Sequence, residues 1–555
     1  MSRDDRELAE TQEGLQLTRR DLVSSAAALG FAAAIPSSFL GAEPAFAAKN
    51  KNELVIAAPT TPPGLDWEFF FGKEVYDHVF NLNDRLTRWK RIPGKQAGSY
   101  DIAWQAQNYQ GITEPRMAED WDISKDGKTY TFQLRKGWPS HAGNEFTAND
   151  VKWTIDRSFA AKGIGTFFNG ISNMRRPQAV KVLNKYTVQF RLSAPTPDLL
   201  LTLSTFWRGM VDSTEAKKNA TPADPLAKNW MKNNDVGFGP YKLESLSPGQ
   251  EVVWVAHKEH PFPPKVERII FREVPEAANR VALLARNQVD VAQFVTPTDL
   301  LKLKQTEGVK VWNFRGYVIL QSPMNQKFPP LDNVLVRRAL SYATPYKDIV
   351  DKVYRGFARP AAGPLSDHAA GFDPKLFRYR YDLNKAKELL TAAGFPSGFK
   401  TWYGYSTADP LGELVGIQLR TAYAKIGVDL ELRALQPSTY TETLFGAKAP
   451  MIFFSLGADS PDPHYALGVF YLSTSSNNWG GYKNLKVDAC LNKGTNLLNW
   501  KQRVKHHKKC LKMLIDDAAW LWIAQPGFQV STRDNVTGIN WYAGEAVDWS
   551  VVRFV

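Results

Sequence analysis

Two carboxylates three residues apart, Asp459 and Asp462, are the groups in this chain best placed to do chemistry. They sit in Leu456-Gly457-Ala458-Asp459-Ser460-Pro461-Asp462-Pro463, directly after the apolar run 451–456. In a cleft that excludes water, an ionised carboxylate is a strong, directional partner for an amine. Two such groups, with Asp409 as a third candidate, can also divide general acid and base work on a polymer. The plainest role is structural, because Asp before Pro caps turns. A second loop, Tyr403-Gly404-Tyr405-Ser406-Thr407-Ala408-Asp409-Pro410, precedes a helical pattern. Tyr405 offers a ring, and Ser406 with the helix N-terminus suits a weak anion or a hydroxyl. No Arg or Lys stands between Lys400 and Arg420 to clamp a full carboxylate. A third loop, Leu65-Asp66-Trp67-Glu68-Phe69-Phe70-Phe71, gathers rings that stack on apolar groups, sugars or cations. The chain has 17 Trp, so most of its aromatics must be core; Trp67, Phe70, Tyr317 and Trp479 are the candidates that adjoin such loops. There is no CxxC, HExxH, P-loop or GxSxG pattern, and His is scarce at eight, so no metal, cofactor or nucleophilic catalytic residue is expected.

These residues need a frame. Asp126-Gly127 is a turn signal, with Gly supplying positive φ for a two-residue hairpin, and Tyr130, Phe132 and Leu134 alternate along the strand that follows. Thr147 reads as a helix N-cap with Asp150 in the first turn. Residues 53–58 and 181–192 read as strands. The stretch 382–394 is an amphipathic helix closed by Gly394. From residue 400 onward strands (400–405, 427–435, 451–456) alternate with helices (411–426, 438–445). That order implies a parallel or mixed sheet of the βαβ kind. A helical pair spans about 487–517, and 521–530 is a strand. The basic run 501–512 interleaves with Val504, Cys510, Leu511 and Leu514 at helical spacing and reads as a solvated helix face.

Size, charge and termini narrow the class. Thr18-Arg19-Arg20-Asp21-Leu22-Val23 precedes an apolar run too short to span a bilayer, and Ala45-Phe46-Ala47 is a small-x-small cleavage site ahead of Ala48. The Arg pair resembles a twin-arginine export signal, which implies passage through the Tat translocase, and no Cys follows to carry a lipid. The formal charge of +13 becomes about +16 once the four Arg and seven acids of residues 1–47 are removed. No nucleic-acid module accompanies it, so a nucleic-acid partner is not expected. Cys490 and Cys510 are the only cysteines; a disulfide and two buried thiols are both compatible with the sequence. At 44% apolar residues the chain can bury several cores, two to four domains by length.

Four ordered segments carry a resemblance. They are Met117-Ala-Glu-Asp-Trp121 through Ile155; Val236-Gly237-Phe238-Gly239-Pro240-Tyr241; Met324-Asn325 through Val336-Arg337-Arg338-Ala339; and Gly481-Tyr482 with Val487-Asp488. In this order they resemble the landmarks of family 5 extracellular solute-binding proteins. Phe238 stands where relatives usually have Thr, and the Gln-, Gly- and Tyr-rich segment 90–111 is unusual for them.

The resemblance implies an α/β, two-lobed periplasmic-binding-protein fold of class II, large variant, with a discontinuous first lobe and a two-segment hinge. It implies a signal peptide at 1–47, lobe 1 at 48–316 with an inserted subdomain at about 96–215, lobe 2 at 317–524, and a return to lobe 1 at 525–555. The hinge crossings are expected near 316–320 and 524–526. The function implied is non-enzymatic: a monomeric periplasmic receptor closes around a small molecule or peptide and delivers it to an inner-membrane ABC permease. Peptide-binding relatives hold the ligand's ammonium with the Asp that matches Asp459, which leaves Asp462 a turn role. The missing Arg near Ser406 argues against a dipeptide held at both ends. An oligopeptide or other amine-bearing solute fits best, with an oligosaccharide or opine as the alternative and a hydrolase using Asp459 and Asp462 as the reading from another class.

Overall fold

A computed structural model describes residues 52–70, 72–104, 108–542 and 544–555. The export motif Arg19-Arg20 and the cleavage pair Ala47-Ala48 lie outside those residues. Among the described residues, no helix is long and apolar enough to cross a membrane.

The first strand, Glu53–Ala58, is buried along nearly its whole length. It can be so apolar because it lies inside a seven-stranded mixed sheet, with parallel neighbours Arg268–Glu273 and Val291–Ala292. The antiparallel strands Tyr241–Ser247 and Glu251–Ala256 extend one side; Phe528–Arg533 and Val309–Phe314 complete the other. A separate antiparallel sheet joins Ala118–Ile123, Thr129–Leu134, Thr187–Arg191 and Val180–Asn184 over its own apolar core. Tyr130, Phe132 and Leu134 all point into that core. Helix Ala148–Ala161 closes it, started by a reciprocal box in which Thr147 and Asp150 each bond the other's backbone.

The second lobe has a continuous core that runs from Ile319 to Ala524. It holds an antiparallel sheet of Ala358–Pro360, Trp520–Pro526, Ile319–Pro323 and Phe454–Leu456, and a parallel sheet of Asp429–Leu435, Lys400–Ser406 and Met451–Ile452. Two segments pass between the lobes. One follows Val309–Phe314 and leads to Ile319–Pro323; the other is the break at Gly527 between Trp520–Pro526 and Phe528–Arg533. They touch at Gly316, whose φ is +62° and where a Cβ would come 2.5 Å from the Pro526 carbonyl oxygen.

Four local expectations are corrected. The turn at Asp126-Gly127 is longer than two residues: the hairpin closes through the Ser124 N–H to the Thr129 carbonyl, and Asp126 accepts from Ser124 Oγ. Residues 181–192 form a hairpin of two strands, because Asn184 turns the chain by accepting from the Tyr186 N–H. The run 451–456 divides at Phe453 and serves both second-lobe sheets. Likewise 521–530 divides at Gly527 and serves one sheet in each lobe. Cys490 and Cys510 are joined in a disulfide that ties helix Leu485–Thr495 to helix Trp500–Asp516.

That tied pair reaches back across the gap. Arg503, fully buried, donates from Nε to Asp462 at 2.6 Å and from Nη2 to Asp198 at 3.2 Å. Its Nη1 serves the carbonyls of Gly494 and Thr495. Asp198 opens a short helix packed in the Ala118–Arg191 subdomain, and Tyr109, also from the first lobe, donates to Asp462. Burial and then the Asp462 charge push the Asp198 carboxyl above the usual carboxylate range. Against the pull of burial, Arg503 holds Asp462 below the usual carboxylate range. Removing one partner of such a set leaves buried charge uncompensated. Arg503→Met is expected to cost roughly 3–5 kcal/mol in urea unfolding, and the double change with Asp198→Asn less than the single one. A loss below about 1 kcal/mol would reduce the network to packing.

Candidate functional site

The loop from Gly457 to Asp462 is set by what flanks it. Strand Phe454–Leu456 leads in, and helix Pro463–Tyr471 leads out, with Asp462 as N-cap accepting from the His464 N–H at 2.7 Å. Asp462 thus has the turn role, and Arg503 takes its other oxygen. Fully buried and held by Arg503, Tyr109 and the His464 N–H, it is poorly placed to take a proton from a substrate or water.

Asp459 differs. Its half-buried carboxylate lies 3.5 Å from Tyr317 Oη and 3.4 Å from Tyr465 Oη, and the Trp207 indole also bonds it. Tyr317 comes from a crossing segment, Tyr465 from the helix after the loop, and Trp207 from the first lobe, so both lobes meet here. Tyr317 is aimed by a bond it receives: the Gly544 N–H donates to its hydroxyl at 2.6 Å, which turns the O–H toward Asp459. Gly457 permits this approach, since a Cβ there would stand 2.2 Å from the Tyr317 ring. Around the carboxylate the rings form a box. Tyr76 lies 4.9 Å from Phe206 and 5.5 Å from Trp207, and Phe167 faces Tyr465 edge-on at 6.4 Å. Tyr76 and Phe167 are only half-buried. Burial pushes the Asp459 carboxyl up to about 7, although the three hydrogen bonds pull it down. A carboxylate inside rings with exposed faces is chemistry for an organic cation.

A second charged group borders it. Lys73, at the start of helix Lys73–Leu82, pairs with Glu545 at 2.6 Å while its side chain stays 52% exposed. Glu545 is presented by a tight loop closed by the Tyr542 N–H to the Ala546 carbonyl. Burial opposes the charge on Lys73, but Glu545 and then Asp409 hold its ammonium above the ordinary range. Asp409 caps helix Pro410–Ala424 through the Leu411 N–H, and burial raises its carboxyl despite that bond.

The remaining sequence candidates lie elsewhere. Trp67 is 4% exposed in the first-lobe core beside Leu65, Val79 and Met231; the bidentate Asp66–Arg157 pair draws its loop inward. Phe70 is half-buried and presses on Gly64. Tyr405 packs in the second-lobe core with its hydroxyl bonded to Glu413. Ser406 spends its Oγ on the Ala408 N–H within its own turn. Trp479 stacks on Trp520 at 6.3 Å and meets Phe454 edge-on, so it is core. Of the expected set, Asp459 and Tyr317 come together. Tyr76, Phe167, Trp207, Tyr465, Lys73 and Glu545 were missed. They come from five separate stretches, and the only local signal was the aromatic pair Phe206-Trp207.

The folded pKa of Asp459 lies above its unfolded value, so its ionisation penalises the fold. That penalty is absent below about pH 4, grows up to pH 7 and is constant above. Asp459→Asn is therefore expected to stabilise the unliganded protein by on the order of 2 kcal/mol at pH 8 and not at all near pH 4. Urea melts at both pH values measure this, and an equal effect at both would show that the carboxyl is not strained.

Comparison with known proteins gives one consistent pattern. The family model for bacterial extracellular solute-binding proteins, family 5 (Middle) matches residues 113–478. Heme-binding protein A of Haemophilus influenzae is 27% identical, over 74% of this chain and 78% of that protein. The probable D,D-dipeptide-binding periplasmic protein DdpA of Escherichia coli is 26% identical, over 89% of this chain and 92% of that protein. Among solved structures, the periplasmic binding protein DppA of Helicobacter pylori in complex with the peptide STSA superposes with a TM-score of 0.76 at 23% identity, covering 90% of this chain and 98% of that one.

Proposed function

The chain belongs to family 5 of the bacterial extracellular solute-binding proteins, and on that premise we propose that it captures an amine-bearing solute, an oligopeptide or a compound of like chemistry, for an inner-membrane ABC importer. The observation that carries this reading is the half-buried Asp459 carboxylate inside the ring box of Tyr76, Trp207, Tyr317 and Tyr465. An entering ammonium gains an ion pair and ring faces together, and it relieves the strain on the carboxylate. Relatives named for dipeptides support the same class. A dipeptide clamped at both ends is disfavoured, because the loop around Ser406 presents Asp409 and no Arg.

The working motion in this proposal is a swing of 48–316 with 525–555 against 317–524. It is favoured by the solute because Asp459 and Tyr465 stand on one side and Trp207 and Tyr76 on the other. No bond of the solute is made or broken. Relatives named as periplasmic support a periplasmic receptor. Export through Arg19-Arg20, cleavage before Ala48 and action as a monomer belong to the same proposal.

Calorimetry against a panel of oligopeptides and amines is expected to find saturable binding, with compaction in small-angle scattering. Because the ammonium needs the ionised carboxylate and Asp459 titrates near 7, affinity should rise between pH 5.5 and 8, by about tenfold per unit below 7. Asp459→Asn should weaken binding roughly 10–100-fold and flatten that profile. Binding that survives the substitution, or that leaves the scattering unchanged, would overturn the reading.

A further inference from the structure

A second cavity lies on the hinge side of the molecule, apart from Asp459. It measures about 500 Å³ and is lined by Trp104, His368, Phe372, Trp500 and the lysines 501, 505 and 508. Trp104 separates it from the cleft: its ring stands edge-on to Tyr317 at 5.4 Å and to Trp541 at 5.8 Å. Its far wall is the hinge. Asp367 there is gripped by Arg359 and Arg315 and accepts from Gln525, while Arg359 and Gln525 also bond the Gly316 carbonyl.

Two features of this cavity have no use in the fold. Among the described residues, the Trp104 indole N–H and His368 Nε2 are buried with no hydrogen-bond partner, in side chains 1% and 6% exposed. His368 Nε2 stands 3.9 Å from Asp367, beyond hydrogen-bond reach. Buried polar atoms left open cost stability. The second feature is charge. Lys501, Lys505 and Lys508 stand on one face of helix Trp500–Asp516, at positions i, i+4 and i+7. Lys508 is 3.5 Å from Asp373, but no carboxylate pairs with Lys501 or Lys505 among the described residues. Asp367, the one acid lining the cavity, faces two guanidiniums and is neutralised by them.

We propose that this cavity is a second binding site, for an organic anion with a flat apolar body, such as an aromatic carboxylate or sulfonate. The anionic group meets the lysines, and the flat body lies against Trp500 and Phe372. Such a ligand touches the segments that join the lobes and not the residues around Asp459, so it acts on the hinge without competing for the cleft.

The test uses 8-anilinonaphthalene-1-sulfonate as the probe and uncharged N-phenyl-1-naphthylamine as its control, followed by fluorescence on the full mature chain. One saturable sulfonate site is expected, with the neutral dye bound at least roughly fivefold more weakly and the sulfonate affinity falling with salt. The double change Lys501→Glu with Lys505→Glu should weaken the sulfonate by roughly fivefold or more and leave the neutral dye unmoved. Both residues are exposed, so the fold is retained; Lys501→Gln with Lys505→Gln gives a milder second pair, expected to shift affinity in the same direction. Asp459→Asn should leave sulfonate binding unchanged. Equal binding of the two dyes, or charge reversal without that loss, would show a merely apolar hollow and overturn the proposal. Loss of the sulfonate in Asp459→Asn would place the dye in the cleft, and that too would overturn it.

Discussion

The structure turns on one buried cation. Arg503 faces Asp462 on one side and Asp198 on the other, with its remaining donors on the carbonyls that end a neighbouring helix. Arg503, Asp462 and Asp198 are all buried, so the guanidinium is tolerable only while both lobes supply their acid. The geometry is demanding, and other features serve it. The disulfide fixes the helix that carries Arg503 to its neighbour, and the capping bond of Asp462 to His464 fixes the carboxylate that Arg503 meets. The same capping bond sets the end of the loop that holds Asp459. One residue therefore links the contact between lobes to the place where a solute would lie, through two intervening positions of chain.

Two carboxylates in a single loop have been given opposite tasks by their surroundings. Asp462 is held ionised by a fixed guanidinium and accepts three hydrogen bonds from the chain itself; Asp459 has only phenol and indole donors and is held close to neutrality. The first is structural because its partner is part of the chain. The second is strained because its full partner is missing from the chain, which is the condition for a ligand contact. Sequence distance alone, three residues, says nothing of this difference.

Much of the local structure was legible. The N-cap Thr147 with Asp150 in the first turn, the helix closed at Gly394, and the alternation of Tyr130, Phe132 and Leu134 are all decided within a few residues, and each formed. The family landmarks told the architecture. What failed was long apolar runs and aromatic clusters. The runs 451–456 and 521–530 look continuous because both of their halves are buried, yet each half belongs to a different sheet. Trp67 and Trp479 adjoin the right loops, but a large apolar ring gains more from core burial than from a cleft. Tyr76, Trp207 and Glu545 could not be found, because their relation to Asp459 exists only once five distant stretches have met.

The placement of Glu53–Ala58 has a consequence for how the molecule comes to exist. The strand is made early, but its partners arrive at residues 268 and 291, and the sheet beyond Val291 is not continued until residues 531 and 532. A ribosome that has not yet released residues 528–533 therefore holds a chain whose largest sheet has a bare apolar margin. Such a margin invites pairing with other chains. Assembly is thus governed by the emergence of that strand: any translocation machinery that handles this protein folded must wait for residues 528–533, and a nonsense change ahead of residue 528 removes the strand that joins Val309–Phe314 to the rest of the sheet.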